Sequence, residues 1–187
     1  MRRINSDTDY YRRKLPHLQR AGAVYFVTFR LAGSLPVDVV KKLKENMQFK
    51  YYDNALDLAS TGPTWLNDHA LAKLVYDHII TEAIRSYRLD CFTVMSNHVH
   101  IVLSPKNPLR LDEAMRRIKQ PTAFHCNQIL ERKGSFWQDG SYDRIIRVGE
   151  WERIIRYILN NPVKAGLVKE WREWPYTYLA PDIMSFG

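Results

Sequence analysis

The chain has 187 residues, of which 45% are hydrophobic and 26% charged, with a formal net charge of +8 and a pI near 9.5. This length is typical of one domain with a hydrophobic core, and the composition is ordinary for a soluble globular protein. No run approaches the roughly 18 apolar residues that a membrane span needs, and no secretory signal is visible, so we expect a cytoplasmic protein. The two cysteines, Cys91 and Cys126, lack metal-ligand spacing and are predicted to be either buried or incidental thiols in a reducing compartment.

The excess of positive charge bears on the partners of the protein rather than on its fold. Nucleic acid is the commonest polyanion that a basic protein binds, and an anionic membrane surface is the main alternative. No basic amphipathic anchor helix stands out in the sequence, but basicity alone does not decide between these two partners.

The first half of the chain predicts a basic arm, a strand and two helices. Residues 1–20 carry six basic side chains with little periodicity, which is typical either of an arm along a ligand or of a solvated tail. Residues 22–32 have the strongest strand pattern, since alternate positions from Tyr25 to Leu31 are apolar. Helices are predicted at about 36–50 and 64–87, with a polar linker at 51–63.

The second half predicts an antiparallel sheet with helices packed on it. In chain order, the expected elements are strands at 87–96 and 97–104, a basic helix at about 109–133 that Pro121 interrupts, a strand at 142–148, a helix from about 149 to 161, a short helix at 162–169 and an aromatic C-terminal tail at 170–187. The two adjacent strands leave no room for the crossover of a parallel sheet. The order therefore predicts a ferredoxin-like, or RRM-like, α+β fold in a single domain of residues 1–187.

His98 and His100 lie in the second of the two adjacent strands. Because side chains alternate between the faces of a strand, both imidazoles share one face, and Val99, Ile101 and Leu103 share the other. We expect the apolar residues to face the core and the histidines to lie side by side on the opposite surface. Two imidazoles at this spacing are typical of a divalent metal site, but an amphipathic edge strand with two exposed histidines explains the pattern equally well.

Tyr157 and Asn161 lie four residues apart in the last long helix and therefore on one helix face. A phenol and an amide oxygen in this arrangement suit a nucleophile beside a metal ligand. The alternative is structural: Asn161 caps a helix that begins at Pro162, and Tyr157 packs at a helix edge. Taken without the histidines, these residues favour the structural interpretation.

Three segments together resemble the REP-associated tyrosine transposases, which are IS200-like, single-tyrosine enzymes with a histidine–hydrophobic–histidine (HUH) signature. The segments are residues 96–101 (SNHVHI), 134–138 (GSFWQ) and 156–167 (RYILNNPVKAGL). The resemblance extends over nearly the whole chain, from Tyr11 to Tyr176. The order and spacing of the three segments make it far more specific than any one of them.

The resemblance implies a metal-dependent endonuclease and strand transferase for single-stranded DNA, in a bacterial, nucleoid-associated protein. Tyr157 matches the nucleophilic tyrosine, and His98, His100 and Asn161 match the residues that bind Mg²⁺ or Mn²⁺. Attack on a phosphodiester beside a hairpin-forming palindromic repeat would give a 5′-phosphotyrosine link and a free 3′-hydroxyl. A free tyrosine has a pKa of roughly 10, so such a reaction needs metal-assisted charge stabilisation near neutral pH. A monomer and a homodimer are both left open.

Basic side chains along the chain are candidates for phosphate contacts, and Trp137 is a candidate for stacking on an unpaired base. The set comprises Arg12, Arg13, Lys14, Arg116, Arg117, Lys119, Trp137, Arg144, Arg147, Arg153 and Arg156. For Trp137 we favour a position in the core. The run from Gln120 to Ala123, which contains Pro121, departs from the smoother helix of the family and leaves the local DNA contacts open.

Two other functions fit parts of the sequence. A histidine-triad nucleotide hydrolase needs a third histidine two residues after His100, where Val102 stands, so this class is excluded. A ferredoxin-like module that binds structured DNA or RNA without cutting it explains the charge and the fold. It leaves the coincidence of the two histidines with Tyr157 and Asn161 unexplained, although a domesticated relative of the family would retain these residues and only bind.

Overall fold

The computed structural model describes residues 8–12, 16–20, 22–36, 39–40, 54–56 and 62–186. Within these ranges the strands are β1 (Thr8–Arg12), β2 (Pro16–Arg20), β3 (Tyr25–Arg30), β4 (Tyr87–Val94), β5 (His98–Pro105), β6 (Tyr142–Ile145) and β7 (Thr177–Leu179). The long helices are α1 (His69–Ser86), α2 (Leu111–Ile129) and α3 (Trp151–Lys164), and short 3-10 turns span Trp65–Asn67, Trp171–Glu173 and Pro181–Phe186. None of these described helices has both the length and the apolar content to cross a membrane.

Five strands form one antiparallel sheet in the order β6-β3-β5-β4-β7. β4 and β5 form a hairpin around Ser96 and Asn97, as the turn chemistry of these two residues predicts. The helices are segregated from the strands and pack on the sheet. The predicted antiparallel α+β fold is therefore confirmed.

The two faces of β5 pack against different helices. Val99, Ile101 and Leu103 are buried in a large core with residues of α1 and α2, as the strand alternation predicts. His98 and His100 lie on the other face and are buried. A smaller core, formed by this face of the sheet and the apolar residues of α3, covers that face. The histidines were expected on an exposed surface. That expectation is wrong, because the apolar side of α3 covers this face of the sheet.

The predicted basic arm contains a β-hairpin. β1 and β2 pair antiparallel, with Arg12 opposite Pro16, and β2 lies beside β6 at the edge of the main sheet. Both strands are short and rich in polar residues, so hydrophobic alternation does not mark them in the sequence. Arg13 and Lys14 lie outside the described residues, as does most of the helix predicted at 36–50.

α2 continues without a break through Pro121, where an interruption was predicted. Proline has no amide hydrogen, so the carbonyl of Arg117, four residues earlier, loses its helical donor. His78 of α1 replaces that donor, since its Nε2 lies 2.8 Å from the Arg117 carbonyl oxygen. His78 thus compensates for part of the cost of proline inside a helix.

α3 extends through Asn161 and Pro162 to Lys164, so the predicted helix end and the separate helix at 162–169 are both wrong. Pro162 is buried, and the helix continues past it for two more residues. Beyond α3, the predicted aromatic tail supplies β7, which pairs with β4 and places Tyr178 opposite Phe92. A strand of three residues gives too little alternation to be recognised in the sequence.

Trp137 is a core residue. Its buried indole makes a T-shaped contact with Phe29, with ring centroids 4.8 Å apart, and its Nε1 donates to Oγ1 of Thr122 at 2.9 Å. The core position favoured from the sequence is the observed one, and the indole is not available to stack on a base in this structure. Cys91 and Cys126 are also buried, which is the first of the two alternatives given for them.

We predict that His78→Ala lowers the free energy of unfolding by about 1–3 kcal/mol, because the Arg117 carbonyl loses its donor. In a Pro121→Ala background, the new amide hydrogen at position 121 restores the helical bond, so the same His78 substitution should cost less. Urea unfolding of the four proteins measures both costs. Equal costs in the two backgrounds would show that His78 does not compensate for the proline.

Candidate active site

His98 and His100 lie together at the centre of the sheet. β5 is flanked by β3 and β4, and the two residues are 1% and 0% exposed. Their ring centroids are 4.6 Å apart, and the Nε2 atoms of the two rings approach to 3.0 Å. Two ring nitrogens this close either share a proton or can bind one cation together.

The other nitrogen of each ring has its own partner. Nδ1 of His98 lies 2.6 Å from Oδ1 of Asn97, and Nδ1 of His100 lies 2.7 Å from Oγ1 of Thr28. An amide oxygen only accepts, whereas a hydroxyl donates or accepts. In the neutral pair, His98 therefore carries its proton on Nδ1 and accepts at Nε2 from His100, whose Nδ1 accepts from Thr28. A cation bound by both Nε2 atoms requires only His100 to change tautomer, with rotation of the Thr28 hydroxyl.

α3 brings Tyr157 against the histidine pair. The ring centroid of Tyr157 is 5.6 Å from that of His100, with 66° between the ring planes. Phe26 of β3 packs on both rings, at 5.7 Å from His100 and 6.2 Å from Tyr157. The Tyr157 hydroxyl is buried, although the residue as a whole is partly exposed. The structure therefore places the predicted nucleophile next to the predicted metal-binding imidazoles.

Asn161 lies one helical turn after Tyr157 and is 1% exposed. It is inside α3, so the alternative that it caps a following helix is wrong. Among the described residues, neither Oδ1 nor Nδ2 of Asn161 has a hydrogen-bond partner. Burying a polar group without a partner costs roughly 1–3 kcal/mol, and the exceptions in native proteins need an explanation such as a bound ion. The Asn161 amide is therefore available to bind a cation or an ordered water at this site.

Two imidazole nitrogens and one amide oxygen would be a neutral ligand set for a divalent cation. The described part of the chain has no group of three or more His, Cys, Asp or Glu side chains that could hold a metal ion. A cation without carboxylate ligands keeps positions for water and for an anionic substrate oxygen, as Mg²⁺ does on phosphate substrates. The residues thus fit a weakly held Mg²⁺ or Mn²⁺ better than a permanent structural metal.

α3 is anchored near both of its ends. Nε1 of Trp151 donates to Oδ2 of the buried Asp90 in β4 at 2.8 Å. Nζ of Lys164, the last residue of the helix, donates to Oδ1 of Asn54 at 3.1 Å. These two contacts join the tyrosine helix to β4 and to the segment 54–56.

The sequence interpretation missed the residues that orient the histidines. Thr28 was visible as a polar position in an otherwise apolar strand, which is a usable signal. Asn97 was predicted only as a turn residue. Its amide contacts Leu56, 41 residues earlier in the chain, and no local pattern reveals such a pair.

The basic residues predicted to bind DNA differ in their exposure. The exposed members among the described residues are Arg116, Arg147, Arg153 and Arg156. Arg144 is half-buried and pairs with Glu150 at 2.7 Å, and Arg153 pairs with the same carboxylate at 3.2 Å. The hydrogen bond from Arg144 lowers the pKa of Glu150 below its ordinary value. Because exposed ion pairs are weak, a phosphate can replace this carboxylate as a partner of Arg153.

Arg117 and Lys119 are engaged within the protein. Arg117 pairs with Glu113 at 2.7 Å along α2. Nζ of Lys119 donates to the backbone carbonyl oxygens of Gln138 and Gly140, at 2.8 Å each. Burial lowers the pKa of Lys119 to about 8. Lys119 therefore ties the loop before β6 to α2, which is a structural role that the sequence did not reveal.

Two curated relatives match the chain at low identity. A REP-associated tyrosine transposase of Escherichia coli K12 is 25% identical over 117 residues, which cover 62% of this chain and 64% of that protein. A putative REP-associated tyrosine transposase of Haemophilus influenzae is 23% identical over 107 residues, which cover 49% of this chain and 58% of that protein. The chain therefore spans less than two thirds of the length of these relatives.

A solved structure of a REP-associated tyrosine transposase bound to a REP hairpin has the same fold. It aligns with a TM-score of 0.57 at 20% sequence identity, and the alignment covers 89% of this chain and 80% of that one. The family model described as Transposase IS200 like matches residues 64–161, which is more than half of this chain and includes both histidines, Tyr157 and Asn161. On this match, which spans the strand pair and the tyrosine helix, the chain belongs to the IS200-like transposase family.

Proposed function

We propose that the chain is a metal-dependent endonuclease and strand transferase for single-stranded DNA beside hairpin-forming repeats, with Tyr157 as its nucleophile. The main support is the position of Tyr157 beside the histidine pair. The ring centroids of Tyr157 and His100 are 5.6 Å apart, and the Nε2 atoms of His100 and His98 are 3.0 Å apart. One turn further along α3, the buried amide of Asn161 has no partner within the described residues. Membership of a transposase family agrees with DNA as the substrate.

The proposed reaction is a transesterification. The Tyr157 oxygen attacks the scissile phosphorus, and the bond from phosphorus to the 3′ oxygen breaks. The phenol gives up one proton, and the departing 3′ oxygen takes one up. The products are a 5′-phosphotyrosine and a free 3′-hydroxyl. Later attack of a 3′-hydroxyl on the phosphotyrosine restores a phosphodiester and the phenol, so no nucleotide hydrolysis is needed.

Each polar residue of the site has a part in this proposal. His98, His100 and Asn161 would hold Mg²⁺ or Mn²⁺, which when bound polarises the scissile phosphate and stabilises the negative charge that develops on it. Thr28 and Asn97 hold the two imidazoles through their Nδ1 atoms. The orientation of the rings is thus fixed before substrate binds, which reduces the reorganisation that the reaction requires.

DNA phosphates would lie along the exposed basic side chains. The exposed ones are Arg116, Arg147, Arg153 and Arg156. Arg12, Arg13 and Lys14 are further candidates from the sequence alone. The net charge of +8 favours a polyanionic partner. The solved neighbour is bound to a REP hairpin, which supports a hairpin-forming repeat as the partner of this chain.

The candidate site is closed to solvent in this conformation. His98, His100 and Asn161 are each at most 1% exposed, and the hydroxyl of Tyr157 is buried. A scissile phosphate reaches these groups only if a covering segment moves, as happens in many enzymes when substrate binds. We expect DNA to bind before the metal is held tightly, because the phosphate supplies the anionic oxygen that the neutral ligand set lacks.

Tyr157→Phe is predicted to abolish a covalent protein–DNA adduct and to preserve DNA binding. Single-stranded oligonucleotides copied from palindromic repeats that flank the gene would be incubated with each protein, with Mn²⁺ or with EDTA, and analysed on a denaturing gel. The adduct should form only with wild type and metal, because the phenol oxygen forms the new bond. Tyr142→Phe is the matched control, since Tyr142 also packs against Phe26 but lies on β6.

Adduct formation by Tyr157→Phe at the wild-type yield would contradict the assignment of the nucleophile. Tight binding of the oligonucleotide without an adduct under any metal would favour the alternative function, a non-catalytic module that binds structured single-stranded DNA or RNA.

Substitution of a buried basic residue should lower the stability of the protein, whereas substitution of an exposed one should weaken the salt dependence of DNA binding. Lys119→Met should lower the free energy of unfolding by about 1–3 kcal/mol, because two backbone carbonyls lose their donor. Arg153→Ala should change stability by less than about 1 kcal/mol, because an exposed ion pair contributes little. Arg153→Ala should also remove one phosphate contact. The slope of the logarithm of the DNA-binding constant against the logarithm of salt concentration should then fall by about 0.7 for single-stranded DNA.

Urea unfolding and DNA titrations at several salt concentrations measure these two effects. Arg85→Ala is the control, since Arg85 is an exposed arginine in the last turn of α1, on the other side of the sheet. A lower salt slope for Lys119→Met at unchanged stability would mean that Lys119 contacts DNA after all.

A further inference from the structure

Asn97 is a buried residue with three separate hydrogen bonds. It is 2% exposed and immediately precedes β5. Its backbone carbonyl accepts from the amide of Leu31 at 2.8 Å. Its side chain has two partners: Nδ2 donates to the carbonyl oxygen of Leu56 at 3.1 Å, and Oδ1 lies 2.6 Å from Nδ1 of His98.

The partner at Leu56 determines which way the Asn97 amide points. A backbone carbonyl only accepts hydrogen bonds, so the amide nitrogen must face Leu56. The amide oxygen must then face His98. A flipped amide would place two oxygens against each other at Leu56, and its nitrogen would then donate to a His98 that carries its proton on Nε2 instead of Nδ1.

The orientation of Asn97 in turn determines the tautomer of His98. An amide oxygen has no proton to give, so Nδ1 of His98 carries the hydrogen. In the neutral imidazole the lone pair is then on Nε2, the atom that faces His100 at 3.0 Å. This is the atom that would bind a cation held between the two rings.

We propose that Asn97 is the positioning residue of the metal site, and that the carbonyl of Leu56 fixes its amide so that His98 presents the Nε2 lone pair towards His100. The assignment of the tautomer depends only on the hydrogen bonds in the protein. The effect of this tautomer on metal binding rests on the proposed function.

The segment that holds Asn97 also contacts the tyrosine helix. Residues 54–56 are helical, and Oδ1 of Asn54 accepts from Nζ of Lys164 at the end of α3, while Leu56 is buried and contacts Asn97. One short segment thus touches both halves of the candidate site. A displacement of this segment would alter the hydrogen bond that orients Asn97, and with it the His98 tautomer. It would also alter the contact of Asn54 with Lys164 at the end of the tyrosine helix.

Nuclear magnetic resonance on metal-free protein tests the tautomer directly. Long-range ¹H–¹⁵N correlations, recorded at a pH above the titration range of histidine, distinguish a protonated from an unprotonated ring nitrogen. We expect His98 in wild type to be protonated on Nδ1, and expect Asn97→Ala to lose this preference. Asn97→Asp should retain it, because a carboxylate also only accepts. Detection of His98 protonated on Nε2 in wild type would overturn the proposal.

Mn²⁺ titrations followed by electron paramagnetic resonance, with the hairpin oligonucleotide present, test the consequence for the metal. Asn97→Ala should weaken Mn²⁺ binding by about 10–100-fold, the usual effect of losing a residue that orients a metal-binding histidine, and Asn97→Asp should restore most of it. Asn160→Ala is the control, since Asn160 is an exposed asparagine beside Asn161. Wild-type affinity in Asn97→Ala, with a thermal unfolding midpoint near that of wild type, would refute the positioning role.

The two measurements separate this proposal from the proposed function. Absence of Mn²⁺ binding by wild type would reject the metal-dependent function and leave the resonance experiment to decide on Asn97. The backbone bond from Leu31 to Asn97 does not involve the side chain, so the Asn97 variants keep the contact that fixes the turn.

Discussion

The alternation of side chains along β5 is the constraint on which the candidate site depends. Val99, Ile101 and Leu103 are fully buried on one face, and each such side chain contributes roughly 1.5–3 kcal/mol by leaving water. A slip of one residue in register would drive His98 and His100 into that apolar core and turn the three aliphatic residues away from it. The apolar residues therefore enforce the position of the imidazoles, which by themselves would gain nothing from burial.

In α3, as in β5, apolar residues pack in the core and thereby position the polar residues of the site. Its isoleucines and leucine pack on the sheet, and this packing carries Tyr157 to His100 and leaves the amide of Asn161 buried. The anchors at Trp151 and Lys164 hold the helix near both ends. Polar groups buried without partners are rare in native proteins and are expected where function outweighs stability. Within the part of the chain that the structure describes, the Asn161 amide is such a group, and it lies one turn from the tyrosine.

Local patterns predicted the strand pair, the shared face of His98 and His100, and the helical spacing of Tyr157 and Asn161, because a hairpin and a helix turn need no distant partner. Features that depend on distant residues were missed. Strand alternation tells which residues share a face but not what covers it, so the burial of the histidines under α3 was not foreseen. α2 continues through Pro121 because of His78, 39 residues from the carbonyl that it satisfies. The orientation of His98 depends on Leu56 through Asn97, which no periodicity reveals.

His98, His100 and Asn161 are proposed to bind a divalent cation beside Tyr157. Anomalous diffraction at the manganese edge, from crystals of the full chain grown with a hairpin oligonucleotide and Mn²⁺, tests it most directly. We expect one strong anomalous peak in contact with Nε2 of both histidines and Oδ1 of Asn161, with the Tyr157 oxygen facing the scissile phosphate of the bound oligonucleotide. A peak elsewhere, with the two Nε2 atoms still hydrogen-bonded to each other, would contradict it.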